Sequence, residues 1–190
     1  TITQFSTSIA DCMARCNKNS LQLAADAMFK TVAAVSSPVK KNGSWQTGRE
    51  KIADYLLGLG IDRAEFNLDD ASGLSRENKL SANAITTVLL DIYRGKDWQF
   101  YRDSLSIGGI DGTLSRYFKD EKYKGRIFGK TGYISGVKSL SGVCCAADGD
   151  YIFSLLANNV KGQTRDVLND IAEAIIDEAE GQRPAVDIKK

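Results

Sequence analysis

Phe128-Gly129-Lys130-Thr131-Gly132-Tyr133-Ile134-Ser135-Gly136-Val137 is the stretch on which the reading of the fold depends. Apolar residues bracket a cation, a hydroxyl and a residue without a side chain. In an extended strand such a row sets a charge and a hydroxyl beside a gap through which another backbone can approach. That combination suits an enzyme that seizes a carboxylate and lays a peptide along an open strand. Lys-Thr-Gly alone is a weak signal, and its weight comes from what surrounds it.

Outward from this run the apolar pattern has the period of strands. Arg126 to Tyr133, Val137 to Ala146 and Tyr151 to Asn158 read as three strands, joined by a turn at Gly136 and by Ala147-Asp148-Gly149-Asp150. Joints this short predict an antiparallel meander. Arg165 to Glu180 follows as a helix, with Val167, Leu168, Ile171, Ala174, Ile175 and Ile176 on one face. Upstream the pattern is helical. Ser8 to Val35 divides at Asn17-Lys18-Asn19-Ser20, which places Ser20 at the N-cap of a second helix. Pro38 and Gly43 mark a loop over 36–44, and Trp45 to Leu59 is a helix closed by Gly60. Phe66 to Asp69 is a short strand before the turn Asp70-Ala71-Ser72-Gly73. Ser81 to Tyr93, with Ser81 as N-cap, and Gln99 to Leu105 are further helices. Gly108-Gly109-Ile110-Asp111-Gly112 is a tight loop, and the aromatic residues Trp45, Phe66, Trp98 and Phe118 are expected in the core. The order predicts an α+β fold, helices with a three-strand antiparallel meander and a C-terminal helix. Its outer strand leaves an edge to be paired or covered, a first sign that part of the fold lies elsewhere.

Composition narrows the chemistry. The chain has 190 residues, 43% hydrophobic and 26% charged, enough for a substantial core. Its net charge is +1, from 25 basic and 24 acidic residues, so no basic field invites nucleic acid. Histidine is absent, which removes Ser-His-Asp and Cys-His catalysis and most zinc sites. Acid–base work falls to Lys, Ser, Tyr, Asp or Glu. Cys12, Cys16, Cys144 and Cys145 have neither zinc nor redox spacing and read as small hydrophobes, with at least one of the adjacent pair buried. The chain opens on Thr1 without Met or a signal core, so a processed or cut end is expected.

Four segments in order carry a resemblance. They are Asn17-Lys18-Asn19-Ser20-Leu21-Gln22, Gly43-Ser44-Trp45, Asp69-Asp70-Ala71-Ser72-Gly73-Leu74-Ser75-Arg76, and Gly109-Ile110-Asp111-Gly112-Thr113-Leu114 with the Lys-Thr-Gly run. Over residues 5 to 180 the chain resembles the C-terminal half of the penicillin-binding-protein-4 type D-alanyl-D-alanine carboxypeptidases/endopeptidases. These are serine peptidases (family S13) of the penicillin-recognising fold. The resemblance implies that residues 1–180 are the C-terminal part of a transpeptidase-like domain, with 181–190 a polar tail. It also implies a periplasmic or secreted location, a peptidoglycan stem peptide ending in D-Ala-D-Ala as substrate, β-lactams as ligands, and no cofactor or metal.

The resemblance assigns roles residue by residue. Lys130 supplies positive potential for the substrate's carboxylate and helps proton traffic, while Thr131 donates to that carboxylate. Gly132 admits the substrate backbone, and the Tyr133 N–H is one oxyanion donor. Ser20 relays a proton and Gln22 holds the substrate amide; the plainer reading of this pair is a helix cap beside a solvated amide. Ser75 and Arg76 read as a hydrogen-bonded brace with Asp69 and Asp70, and Asp111-Gly112-Thr113 as a turn bordering the cleft. The sequence departs from the family pattern twice. Ser20-Leu21-Gln22 has Gln where the pattern has Asn, the same amide one methylene farther out. The Ser-x-x-Lys nucleophile is expected upstream, in the N-terminal half of the same protein. Ser37-Pro38-Val39-Lys40 has the spacing but lies after Ser20, in a Pro-containing segment. The isolated chain is therefore expected to be inactive. The alternative is a catalytically degenerate module that binds peptidoglycan or a partner protein.

Overall fold

The computed structural model describes residues 3, 6–35 and 43–181. The Pro38 loop with Ser37 and Lys40, and the tail after Gly181, fall outside the described residues. The chain divides into two compact units, Thr1–Leu105 and Ser106–Lys190. The expected α+β composition is observed.

The first unit is mainly helical: α1 (Ile9–Asn19), α2 (Gln22–Val35), α3 (Trp45–Gly58), α4 (Ala82–Arg94) and α5 (Trp98–Ser104). Serine side chains start three of them by accepting a backbone N–H: Ser8 from Asp11, Ser44 from Thr47 and Ser81 from Ala84. Helix α3 ends as its sequence predicts. Gly60 takes the left-handed conformation, its N–H reaching Leu57 C=O while that of Ile61 reaches Leu56 C=O. The buried pair Leu56 and Ile61 then joins Phe66 and Ala84 in one core cluster.

Ser20 is the exception. It is not the N-cap of α2 but the C-terminal cap of α1, at φ 54°. Its N–H and that of Leu21 both reach Arg15 C=O, and α2 restarts at Gln22 with Ala24 N–H on Leu21 C=O. The spare carbonyls at the end of α1 claim the residue before α2 does. Holding a non-glycine residue there costs on the order of 1 kcal/mol. Phe66–Asn67 (β1) is a strand, as expected, but it pairs with Lys79–Leu80 (β2), too short to show alternation in sequence.

The second unit is an antiparallel sheet in the order β3-β4-β5-β6 with α6 (Thr164–Ala179) against it. The three predicted strands are β4 (Ile127–Ile134), β5 (Val137–Ala146) and β6 (Gly149–Asn158), in continuous register. The sequence reading missed β3, Ser106–Ile107, which pairs with Gly129 and Phe128 at the rim of the glycine-rich loop. Ile127, Leu140, Cys144 and Phe153 line the face that meets Leu168, Ala172 and Ile176 of α6. Burying such side chains stabilises by roughly 1.5–3 kcal/mol each. The Cys144 thiol, wholly buried, donates to Ala172 C=O at 3.5 Å. Strands β4 and β5 meet so closely that a Cβ on Gly142 would lie 2.0 Å from the Phe128 carbonyl oxygen. Phe66 and Phe118 are buried as expected. Trp45 is exposed instead, against Phe29 and beneath the Lys30 ammonium.

Candidate active site

Strand β3 covers β4 only at Phe128 and Gly129. Beyond that point, among the described residues, the outer side of β4 has no strand beside it, so Lys130 to Ile134 form an open edge. Side chains alternate along it. Thr131 stands on the core face, opposite Leu140; Lys130 stands on the other, opposite Ser141, whose hydroxyl shares a 2.8 Å hydrogen bond with Ser154. The Lys130 ammonium turns back to the edge and donates to the Thr131 carbonyl at 2.7 Å. That carbonyl points away from the β5 ladder. Residues two apart share their backbone direction in an antiparallel strand, so the Tyr133 N–H points out of the same edge. The Tyr133 side chain is 74% exposed. A Cβ on Gly132 would fall 2.2 Å from the Ser139 hydroxyl, so a side chain there would force Ser139 to move.

Two supports for this edge carried no clear sequence signal. Arg165, at the start of α6, donates to the carbonyls of Gly132 at 3.0 Å and Ser139 at 2.9 Å. Its charge ties the Lys-Thr-Gly strand to its neighbour, though burial lowers its pKa from the ordinary value. The Thr131 hydroxyl donates to Thr113 Oγ1 at 2.9 Å, in the turn the sequence had marked only as a border. Four expected residues, Lys130, Thr131, Gly132 and Tyr133, are thus brought together on one strand edge.

Ser20 and Gln22 belong to the first unit, where the α1–α2 junction brings them together, Ser20 half-buried and Gln22 exposed. The part of the predicted brace formed by Asp69, Asp70 and Ser75 is present in that unit. Asp70 accepts from Ser72 Oγ at 2.7 Å, from the N–H groups of Gly73 and Ser75 at 3.0 Å, and from the Asn78 amide. Asn78 in turn accepts from the N–H of Asp69 at 2.7 Å. A second Ser-x-x-Lys spacing, Ser135 to Lys138, spans the β4–β5 turn rather than a helix, and the Lys138 ammonium is bound to Gly162 C=O at 2.9 Å. Among the described residues no group of three or more His, Cys, Asp or Glu is placed to hold a metal ion. Nor is any helix among them long and apolar enough to cross a membrane.

A match to the D-Ala-D-Ala carboxypeptidase 3 (S13) family extends over residues 2–180. The chain belongs to that family. As an S13 sequence it is 31% identical over 136 residues to a D-alanyl-D-alanine carboxypeptidase of Actinomadura sp. (strain R39), covering 69% of this chain and 25% of the relative. It is 30% identical over 156 residues to penicillin-sensitive carboxypeptidase A of Dictyostelium discoideum, covering 78% of this chain and 28% of that one. The match thus spans about a quarter of the length of these relatives. Penicillin binding protein 4 (dacB) from Haemophilus influenzae, in a complex with a β-lactam, superposes with a TM-score of 0.75 at 26% identity, over 88% of this chain and 40% of that one. A β-lactamase from Sphaerobacter thermophilus, at 14% identity and a TM-score of 0.68, shares the fold alone. The α+β arrangement is accordingly part of the fold of penicillin-binding proteins and serine β-lactamases.

Proposed function

We propose that this S13 chain is the C-terminal part of a transpeptidase-like domain, residues 1–180 followed by a tail over 181–190. The whole protein is then a serine D-Ala-D-Ala carboxypeptidase/endopeptidase of the periplasm or cell exterior. It acts on peptidoglycan stem peptides through an acyl-enzyme and binds β-lactams. The observation that supports this best is the open edge of β4, which carries Lys130, Thr131, Gly132 and the outward Tyr133 N–H within a chain of the S13 family. On this reading Lys130 draws in the terminal carboxylate, Thr131 donates to it, and the substrate backbone lies along the gap at Gly132. The Tyr133 N–H meets the oxygen that becomes negative when the carbonyl is attacked. Ser20 passes the proton between the attacking hydroxyl and the leaving amine, and Gln22 holds the substrate amide.

The attacking serine lies, on this reading, in the N-terminal half of the same protein, and the 190 residues alone do not form the acyl-enzyme. Incubation with a fluorescent penicillin followed by denaturing electrophoresis tests this. The expected result is no covalent label on the 190-residue chain. A labelled chain would overturn it and assign the nucleophile to a serine within, Ser37 first. Gln22 favours a second reading, a degenerate module that binds peptidoglycan or a partner without turnover. A protein in which no helical Ser-x-x-Lys accompanies this chain would support that reading.

A further inference from the structure

We propose that Thr113 is a positioning residue for Thr131, and that the chain Ser106–Thr113–Thr131 sets the direction in which Thr131 presents its hydroxyl proton. The functional part of this inference rests on the reading of Thr131 as a carboxylate donor. The structural part does not.

The three hydroxyls form one line. Thr131 Oγ1 donates to Thr113 Oγ1 at 2.9 Å, and Thr113 Oγ1 shares a 3.2 Å hydrogen bond with Ser106 Oγ. Ser106 Oγ also accepts the Thr113 N–H at 3.1 Å, so the hydroxyl and backbone of Thr113 are both held by the same residue. The frame around them is firm. Ser106 is wholly buried on β3, opposite Gly129, and Leu114, also wholly buried, anchors the turn in the core. The Asp111 carboxylate closes the loop by accepting the Ile107 N–H at 2.9 Å. A buried hydroxyl is costly without a partner, and that of the wholly buried Ser106 has one in Thr113.

Threonine has a hydroxyl and a methyl of similar size on one carbon. Packing alone separates poorly the rotamers that exchange the two. A hydrogen-bond partner on one side decides which position the oxygen takes, and Thr113 is that partner. A carboxylate brings no proton, so Thr131 must turn its own toward it. Thr113 then turns its proton to Thr131, and Ser106 donates to Thr113. Each hydroxyl keeps its proton and rotates about its C–O bond; no covalent bond is made or broken, and none of the three is left unpaired. With Val at 113 the relay has no middle member, and Thr131 is neither fixed nor supported as it donates.

Two measurements test this. In the 190-residue chain, three-bond NMR couplings at the Thr131 methyl report its rotamer. Wild type is expected to show one rotamer, Thr113→Val an average, and Thr113→Ser a return to one. In the longest natural form of the protein, kcat/KM is compared for a peptide ending in D-Ala-D-Ala and for its C-terminal amide. Thr113→Val is expected to lower the value for the acid about tenfold, the scale of one hydrogen bond to a charged group. The amide should stay within about twofold and Thr113→Ser should restore the acid. A single Thr131 rotamer in Thr113→Val, or equal losses on both substrates, would overturn the proposal. A wild-type preference for the acid that survives Thr113→Val would remove the functional role of Thr113 alone. A wild-type protein without that preference would overturn the carboxylate reading itself.

Discussion

At the scale of single residues, environment decides what each reactive group does. Cys144 and Cys145 are neighbours in sequence, yet alternation on β5 buries only the first completely. Burial, with the nearby Cys145 adding to it, pushes the Cys144 thiol up to about 12. The thiolate is the reactive form, so Cys144 is expected to resist an aromatic disulfide reagent at pH 8 until the chain is denatured. Mass mapping of the labelled cysteines checks this, and rapid native labelling of Cys144 would contradict it. Asp70 shows the opposite balance. Burial raises its pKa, but hydrogen bonds from Ser72, Asn78 and the N–H groups of Ser75 and Gly73 outweigh this and hold it below the ordinary value. A depressed carboxylate contributes stability that is complete above its unfolded pKa and is lost as pH falls through the folded one. Asp70→Ala is therefore expected to cost about 1–3 kcal/mol at neutral pH. The gap from wild type should shrink as pH falls below about 4, read by urea unfolding. A gap independent of pH would contradict the ionic role. That Asp70 braces a turn was legible, because Asp, Ser and Gly so spaced favour side-chain-to-backbone bonds. The role of Ser20 was not, because capping the end of α1 and capping the start of α2 look alike in sequence.

At the scale of elements, the sheet is where sequence and structure agree most closely. Strands β4, β5 and β6 were visible because each is long enough for alternation to show, and their turns are short and glycine-bearing. Strands β2 and β3, of two residues each, were not. The missed β3 matters because it stops after Phe128 and Gly129, and so defines where the open edge begins. Arg165 was equally hidden: its role comes from a contact between α6 and carbonyls of β4 and β5 far away in sequence. The pairing of β4 with β5 depends on Gly142. A methyl there would meet the Phe128 carbonyl, which is backbone and has nowhere to go. Gly142→Ala is expected to destabilise the second unit by about 2 kcal/mol or more. Amide hydrogen exchange should show the loss first in β4 and β5, and unchanged protection there would contradict the account.

At the scale of the whole molecule, a 190-residue S13 chain carries the open Lys-Thr-Gly strand and its supports, and it matches about a quarter of the length of its relatives. Composition gave no histidine to this chain and no basic field, and ordered motifs gave the family. On the proposed function the attacking serine lies outside these residues, so no motif among them could report it. Hydrolysis of a peptide ending in D-Ala-D-Ala by the longest natural form of the protein, wild type against Lys130→Ala, tests the central claim most directly. The account predicts D-Ala release by wild type and a fall in kcat/KM of at least about 100-fold in the variant, the scale on which such electrostatic contacts act. Undiminished release by Lys130→Ala would contradict it.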